Sequence, residues 1–547
     1  MIPFRTLYLH AQRAYSAQAP LPVPVIKIPK YVTKYVEKAK KKGLIKEFNN
    51  QNRKKIAYRG DTSKPVISST NGDFNFYLGQ TYHDNYPLPI QSKFWFKQKS
   101  SGQKFTIHPI EPNPSIQTDD PHEFKNDEHF PSEFTKFDLN QNIIDNIYKE
   151  FEFKKPTRMQ TLAIPRISSG CHVLLASETG SGKTVSYLAP IIQNLIKLKS
   201  RNSYSDVDSP LALVLVPGRE LAEQIAEVAF KLAKRTGVDV RVLLSPGTKQ
   251  DHLKLVPESN IDVLVASIGC FKKFLERDKF SLGNLQHFVL DEADTLLDDS
   301  FVEDTKSVMR KMMIKSNFSL PPVGAQVVLS SSIYPSNIGA IVDETFPEES
   351  ITEIISPYLH RVPMHISQKF CRVSQDGRAG ELLDLVKNDF KKKKPVMIFC
   401  NQSHACDWLV EFLESSGIPC GKFHGGIVPN IRMKMFNEFK EGSLNVLVCT
   451  DLASRGLDTS WVRHVINWDF PNNVSDYLLR AGRVGRAGTN QGHVTNLVVN
   501  KSTVYTVHEV ETAVRLRRRI ANVDSNVKQK IRKLFFQEMV DPRSMPV

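Results

Sequence analysis

Val173-Leu174-Leu175-Ala176-Ser177-Glu178-Thr179-Gly180-Ser181-Gly182-Lys183-Thr184 is the stretch to read first. A short apolar run passes into a glycine-rich turn, and a helical pattern follows. Strand, turn and helix in that order form a phosphate cradle. Gly180 and Gly182 let backbone amides face phosphate oxygens, and the helix N-terminus adds positive potential. Lys183 is placed to reach the β- and γ-phosphates, and the Thr184 hydroxyl to ligate Mg²⁺. Further on, Phe288-Val289-Leu290 runs into Asp291-Glu292-Ala293-Asp294. An acidic tetrapeptide alone is an ordinary solvated turn. Behind a phosphate loop, the same acids at a strand end supply what hydrolysis of a nucleoside triphosphate needs: Asp291 for the metal and Glu292 for the attacking water.

Other short β-branched runs, Leu211–Val216, Val240–Leu244, Val263–Ala266 and Val327–Ser331, alternate with helical segments and predict a parallel sheet. Such sheets bind ligands at the carboxyl ends of their strands, where both phosphate motifs fall. A second α/β series begins near His365. It has strands over Val396–Phe399, Val446–Cys449, Val465–Trp468 and His493–Val499, and helices over His404–Glu414, Ile431–Lys440 and Val474–Arg480. It has no second phosphate loop. It carries instead Thr450-Asp451-Leu452-Ala453-Ser454-Arg455-Gly456-Leu457-Asp458 and Arg480-Ala481-Gly482-Arg483-Val484-Gly485-Arg486. Arginines three apart among glycines fit convergence on a phosphate held by a facing domain.

From about Phe134 to Val499 these motifs resemble a DEAD-box RNA helicase. The resemblance implies an α/β fold of two tandem RecA-like domains, with parallel sheets flanked by helices. Pro156-Thr157-Arg158-Met159-Gln160 is similar to the adenine-reading Q motif, which implies that Gln160 bonds the adenine edge and Phe134 packs on the base. Ser177, Glu178, Thr179, Gly180, Ser181, Gly182, Lys183 and Thr184 become the ATP-binding loop, with Asp458 on the ribose. Arg219, Gly247 and Thr450 become contacts to the RNA backbone, and Arg483 and Arg486 arginine fingers. ATP and Mg²⁺ are the implied ligands and RNA the implied partner.

Four positions depart from the family pattern. Ser177 replaces a small alanine, and Ser267-Ile268-Gly269-Cys270 stands where TPGR is expected, without its arginine. Ser331-Ser332-Ile333 stands for SAT, and Leu479 for the first histidine of HRxGRxGR. Because losing both partners of a polar contact is cheaper than losing one, Ile333 and Leu479 are expected to be accommodated jointly. ATP use is then retained with weaker coupling to strand separation.

The 547 residues leave room for roughly three to four domains. No stretch approaches the ~18 apolar residues of a membrane span, so no membrane insertion is expected. The seven cysteines are scattered without CxxC, which argues against a disulfide scaffold or zinc module and for a reducing compartment. The net charge of +15 is concentrated at the ends. Residues 1–60 hold 14 Lys/Arg against 2 acids, residues 61–514 hold 50 against 53, and residues 515–533 hold 8 against 1.

The ends have readings of their own. Met1–Arg13 is amphipathic, Arg-bearing and free of acids, as in a mitochondrial presequence, here cleaved after Tyr15; an untidy free terminus is the bland alternative. Residues 16–132 are expected to be largely irregular, with the aromatic clusters Phe74–Tyr77 and Phe94–Phe96 as anchors or as an RNA-binding arm. Lobes are expected over 133–360 and 361–514. A basic tail over 515–547, from Arg515-Leu516-Arg517-Arg518-Arg519 through Lys528–Lys533, is expected to bind phosphates. Presequence, basic ends and weakened motifs together resemble divergent fungal mitochondrial RNA helicases linked to large-ribosomal-subunit assembly. That resemblance implies a monomer acting in the matrix on ribosomal RNA or assembly particles. An ATP-gated RNA clamp or scaffold is the alternative, and a DNA helicase a third.

Overall fold

The computed structural model describes residues 61–82, 88–96, 100–113, 131, 133–201, 209–244, 260–315, 324–334, 351–486, 492–520 and 523. The expected presequence and the rest of the basic residues 1–60, Gly247 and Lys528–Lys533 lie outside them.

In chain order the strands are β1 Asp61–Ser69, β2 Phe76–Leu78, β3 Lys104–Ile107, β4 His172–Ala176, β5 Ala212–Val216, β6 Val240–Leu243, β7 Val263–Ser267, β8 His287–Asp291, β9 Gln326–Ser331 and β10 Ile351–Ile355. There follow β11 Ser367–Arg372, β12 Val396–Phe399, β13 Gly421–Phe423, β14 Val446–Cys449, β15 His464–Asn467 and β16 His493–Val498. They build two sheets. The first lobe has seven strands in the order β10-β4-β9-β8-β5-β7-β6, all parallel. Strands β4, β5, β7, β8 and β9 are buried along their whole length, because helices cover both faces of a parallel sheet. That double burial is why their sequences are continuous apolar runs with no alternation.

The second sheet has nine strands in the order β13-β14-β12-β15-β16-β11-β3-β1-β2. The six from β13 to β11 are parallel, and β3, β1 and β2 add to the edge antiparallel. This corrects the expectation for residues 16–132: part of the stretch is integral to the second lobe. Trp95, Phe76 and Phe105 are fully buried, and the Phe105 ring stacks on Phe370 of β11 with centroids 4.7 Å apart. Lobe boundaries at 361 and 514 therefore enclose too little.

The start of the basic tail is corrected with it. Helix Lys501–Arg515 buries Glu511 against the backbone N–H groups of Gln91 and Ser92, both at 2.9 Å. Arg515 pairs with Glu511 at 2.8 Å and donates to the carbonyl of Phe74 at 2.6 Å. Arg515 is thus a buried clamp on the extension and has no access to phosphate. Ile520 N donates to His360 O at 2.9 Å, and Ile520 and Val523 are buried, so folded structure continues past residue 514. All seven cysteines are free thiols, and no helix among the described residues is long and apolar enough to cross a membrane.

Candidate nucleotide and RNA site at the lobe interface

The site begins at the carboxyl end of β4. There the chain turns through Ser177–Gly182, with Gly180 and Gly182 at φ +86° and +87°, and enters helix Lys183–Lys199. At Gly182 a side chain is excluded twice over: the left-handed backbone disfavours it, and a Cβ would fall 2.7 Å from Gln160 Nε2. Gln160 lies in the first turn of helix Arg158–Ser168. Its Oε1 accepts from Thr157 N at 2.8 Å in a capping box, and Thr157 Oγ1 donates to Ser181 O at 2.7 Å. The helix cap and the phosphate loop therefore brace one another. Gln160 Nε2 is buried and has no partner, an amide donor left over for a base edge.

Lys183 Nζ donates to the carbonyls of Ser177 and Glu178 at 2.7 and 3.0 Å. Burial pushes its pKa down, with Asp291 and Glu178 opposing that shift. Ser177, the first departure, shares a 2.6 Å hydroxyl contact with Ser181, so the extra oxygen is satisfied within the loop.

At the end of β8, Asp291 is fixed by three donors: Tyr187 OH at 2.9 Å, Ser330 Oγ at 2.7 Å and Glu292 N at 3.0 Å. Thr184 bonds to the same tyrosine hydroxyl, so Thr184, Tyr187 and Asp291 form one chain of oxygens. Glu292 follows at φ +54°, a left-handed backbone in a non-glycine residue. Burial and then the charge of Asp294 raise its pKa to about 7, and its Oε2 has no partner. Asp294 is also raised by burial, against Arg455 and Ser331, which favour its charged form.

The second lobe closes over this end. Thr179 Oγ1 donates to Gly482 O at 3.0 Å, and Arg455 donates to Thr295 Oγ1. Helix Val474–Ala481 leads into the arginine turn. Arg480 is fully buried and spent on structure, bonding Asp451, Asn401 and the carbonyl of Asp469. Arg483 and Arg486 converge on one carbonyl, Leu457 O, at 2.7 and 2.6 Å. Burial pushes the pKa of both down, and for Arg483 the neighbouring charge of Arg486 adds to it. The two guanidiniums are thus buried side by side, and the carboxylates of Asp458 and Glu292 favour the charged form of both.

Asp458 lies on the same rim, 4.0 Å from Arg486, with its backbone N–H donating to Gln224 at 3.2 Å. Arg219 opens helix Arg219–Ala233 and pairs with Glu223 at 2.9 Å. Thr450 stands in extended backbone at the head of the 3-10 turn that follows β14. The structure brings together every expected nucleotide residue except Phe134. That ring is fully buried in the first-lobe core against Phe137 and Tyr148 and has no open face for a base.

One feature of the seam escapes a reading of the sequence. Arg432 Nε donates to Glu220 Oε1 at 2.6 Å, a buried ion pair between the lobes. Nothing local marks it, since each partner lies on an ordinary amphipathic helix. Ile333 and Leu479, both buried, line one interlobe pocket with Leu359, His360 and Glu178; the two apolar departures thus share a site.

Comparison with known proteins agrees with this fold. The DEAD/DEAH box helicase model matches residues 157–340, and the helicase conserved C-terminal domain matches residues 378–488. The chain is 37% identical over 389 residues to the human probable ATP-dependent RNA helicase DDX28, covering 69% of this chain and 72% of that protein. It is 39% identical over 388 residues to the mouse protein of the same name, with the same coverages. Among solved structures, S. cerevisiae Dbp5 bound to RNA and ADP BeF3 superposes with a TM-score of 0.59 at 21% identity, covering 75% of this chain and all of that one.

Proposed function

The chain belongs to the DEAD/DEAH box helicase family as an ATP-dependent RNA helicase, and we propose that its two lobes divide the work on a single triphosphate. The first lobe supplies the pocket: Gln160 for the adenine, the loop Ser177–Thr184 for the phosphates and Glu292 for the attacking water. The second lobe completes it with Asp458 at the ribose and with Arg483 and Arg486, which leave Leu457 O for the γ-phosphate. The observation that carries this reading is the convergence of the two buried guanidiniums on one carbonyl of the second lobe, with Arg486 beside Gly180 of the phosphate loop.

The hard-oxygen pair of Thr184 and Asp291 suits Mg²⁺, which when bound supplies positive charge to the phosphates. Lys183 exchanges its two loop carbonyls for phosphate oxygens. Glu292, with its pKa near 7, is set to accept a proton from water at neutral pH. Arg219, Gly247 and Thr450 hold the RNA backbone, so sequence preference in the core is small.

The acid-free, arginine-bearing N-terminus supports import into the mitochondrial matrix, and the basic ends support action on ribosomal RNA or large-subunit assembly particles, as a monomer. The buried apolar pair Ile333 and Leu479 favours a second reading, an ATP-gated clamp that holds RNA and releases few strands. Duplex-release assays with ATP and with a nonhydrolysable analogue separate the two: a helicase releases strands only with ATP, and a clamp retains RNA with the analogue. Crosslinking to RNA inside isolated mitochondria tests the location and the target together, and bound transcripts other than ribosomal RNA would overturn the assembly reading.

A further inference from the structure

The N-terminal extension does more than widen a sheet. Beyond β3 the chain runs along the second lobe, where Ile110 N and Glu111 N both donate to Met364 O, at 2.9 and 3.2 Å. It then reaches the arginine turn. Asn113, only 1% exposed, donates from Nδ2 to the carbonyl of Gly485 at 2.7 Å. His365 Nε2 lies 3.1 Å from the same oxygen. A carbonyl only accepts, so this ring nitrogen carries the proton.

Gly485 is the residue directly before Arg486 and two after Arg483. Its φ is +65°, and a Cβ there would fall 2.5 Å from Ile366 Cγ2. The turn therefore has one path open to it. The Asn113 amide and His365 hold the carbonyl of Gly485, while Thr179 holds that of Gly482. Glu111, Pro112 and Asn113 also line the pocket that holds Glu178, Thr179, Ile333 and Leu479.

We propose that Asn113 is a positioning residue for ATP hydrolysis, holding the Gly485 carbonyl so that Arg483 and Arg486 present their guanidiniums to the γ-phosphate together. The guanidiniums must let go of Leu457 O when phosphate arrives. At that moment the bonds to the carbonyls of Gly482 and Gly485, together with that of Thr459 Oγ1 to Arg483 O at 2.7 Å, keep the turn in place. The extension thereby becomes part of the ATPase although Asn113 lies outside both matched helicase segments, residues 157–340 and 378–488. This inference rests on reading Arg483 and Arg486 as the fingers.

The test uses the full chain, single-stranded ribopolymer and three variants: Asn113→Asp, which keeps the size and replaces the donor by an acceptor; Asn113→Ala; and Arg486→Ala. ATP turnover is measured with the affinities for ADP and for ADP–beryllium fluoride in the presence of RNA. Misplacing a catalytic group slightly costs up to about 10²-fold, so Asn113→Asp is expected to lower kcat about tenfold and to weaken the beryllium fluoride complex by a similar factor. KM for ATP and the affinity for ADP, which lacks the γ-phosphate, stay within about twofold on the same argument. If Arg486→Ala lowers kcat and neither Asn113 variant does, Asn113 has no such role and the finger reading stands. If Asn113→Asp and Asn113→Ala both weaken ADP as much as its fluoride complex, the residue merely supports the fold and the proposal fails. If Arg486→Ala leaves kcat unchanged, the finger reading itself is wrong and the proposal falls with it.

Discussion

Glu292 concentrates the chemistry of the site in one residue. It is buried, left-handed in backbone, raised to about 7 by burial and Asp294, and its Oε2 has no partner. As a proton acceptor it must be ionised. The kcat/KM for ATP in the presence of RNA is therefore expected to rise about tenfold per pH unit below 7 and to level off above it. The sign for stability is opposite. A carboxyl whose folded pKa exceeds its unfolded value stabilises below pH 4.5, and that contribution is lost as pH rises towards 7. A rate profile flat from pH 5.5 to 8 contradicts the role. Glu292→Gln removes the acceptor at nearly constant shape. It should cost about 10²–10⁴ in kcat and leave ATP binding measurable by fluorescent-nucleotide titration.

At the scale of elements, the strands that carry phosphate motifs were legible because both their faces are buried, so that each run ends where its motif begins. β4, β8 and β14 follow this rule within a residue. The extension was not legible, and the reason is physical. β1 holds Lys64 and Pro65 on an antiparallel strand with irregular register, and its partner β3 lies beyond a stretch without periodicity. What fixes it is distant: the stacking of Phe105 on Phe370 and the clamp of Glu511 and Arg515. Arg515 was unreadable for the same reason, since a basic run shows its charge but not its buried acid. Removing Glu511 strands that guanidinium. Glu511→Ala is expected to destabilise the second lobe by about 3–5 kcal/mol in urea unfolding, and a loss under 1 kcal/mol would mean the clamp is idle. Phe134 failed differently, because the upstream aromatic position is also a core position and a single sequence does not distinguish the two.

For the whole molecule, coupling between lobes runs through the groups that span the seam. Arg432 with Glu220, Arg455 with Thr295, Asp458 with Gln224 and Thr179 with Gly482 are among those that link the two sides. Glu220→Gln leaves the buried Arg432 without its counter-charge. The closed RNA complex with ADP–beryllium fluoride should weaken by about 10²-fold or more, while ADP binding, which makes no contact with the fingers through a γ-phosphate, should fall far less. An equal loss for both ligands would deny the pair its role in closure. The apolar pair Ile333 and Leu479 belongs at this scale too. Restoring threonine and histidine together (Ile333→Thr with Leu479→His) should raise strands released per ATP hydrolysed, and either change alone should lower it by leaving a buried polar group unsatisfied. An unchanged ratio in the double variant would show that the two positions do not couple turnover to strand release.

The most direct measurement replaces Arg483 and Arg486 singly by alanine and follows RNA-stimulated ATP turnover by the full-length chain. Fingers of this kind contribute about 10³–10⁵ in rate, so each variant should lose nearly all stimulation by ribopolymer while still binding ATP through the first lobe. Turnover that survives either substitution within a few-fold would contradict the sharing of one triphosphate between the lobes.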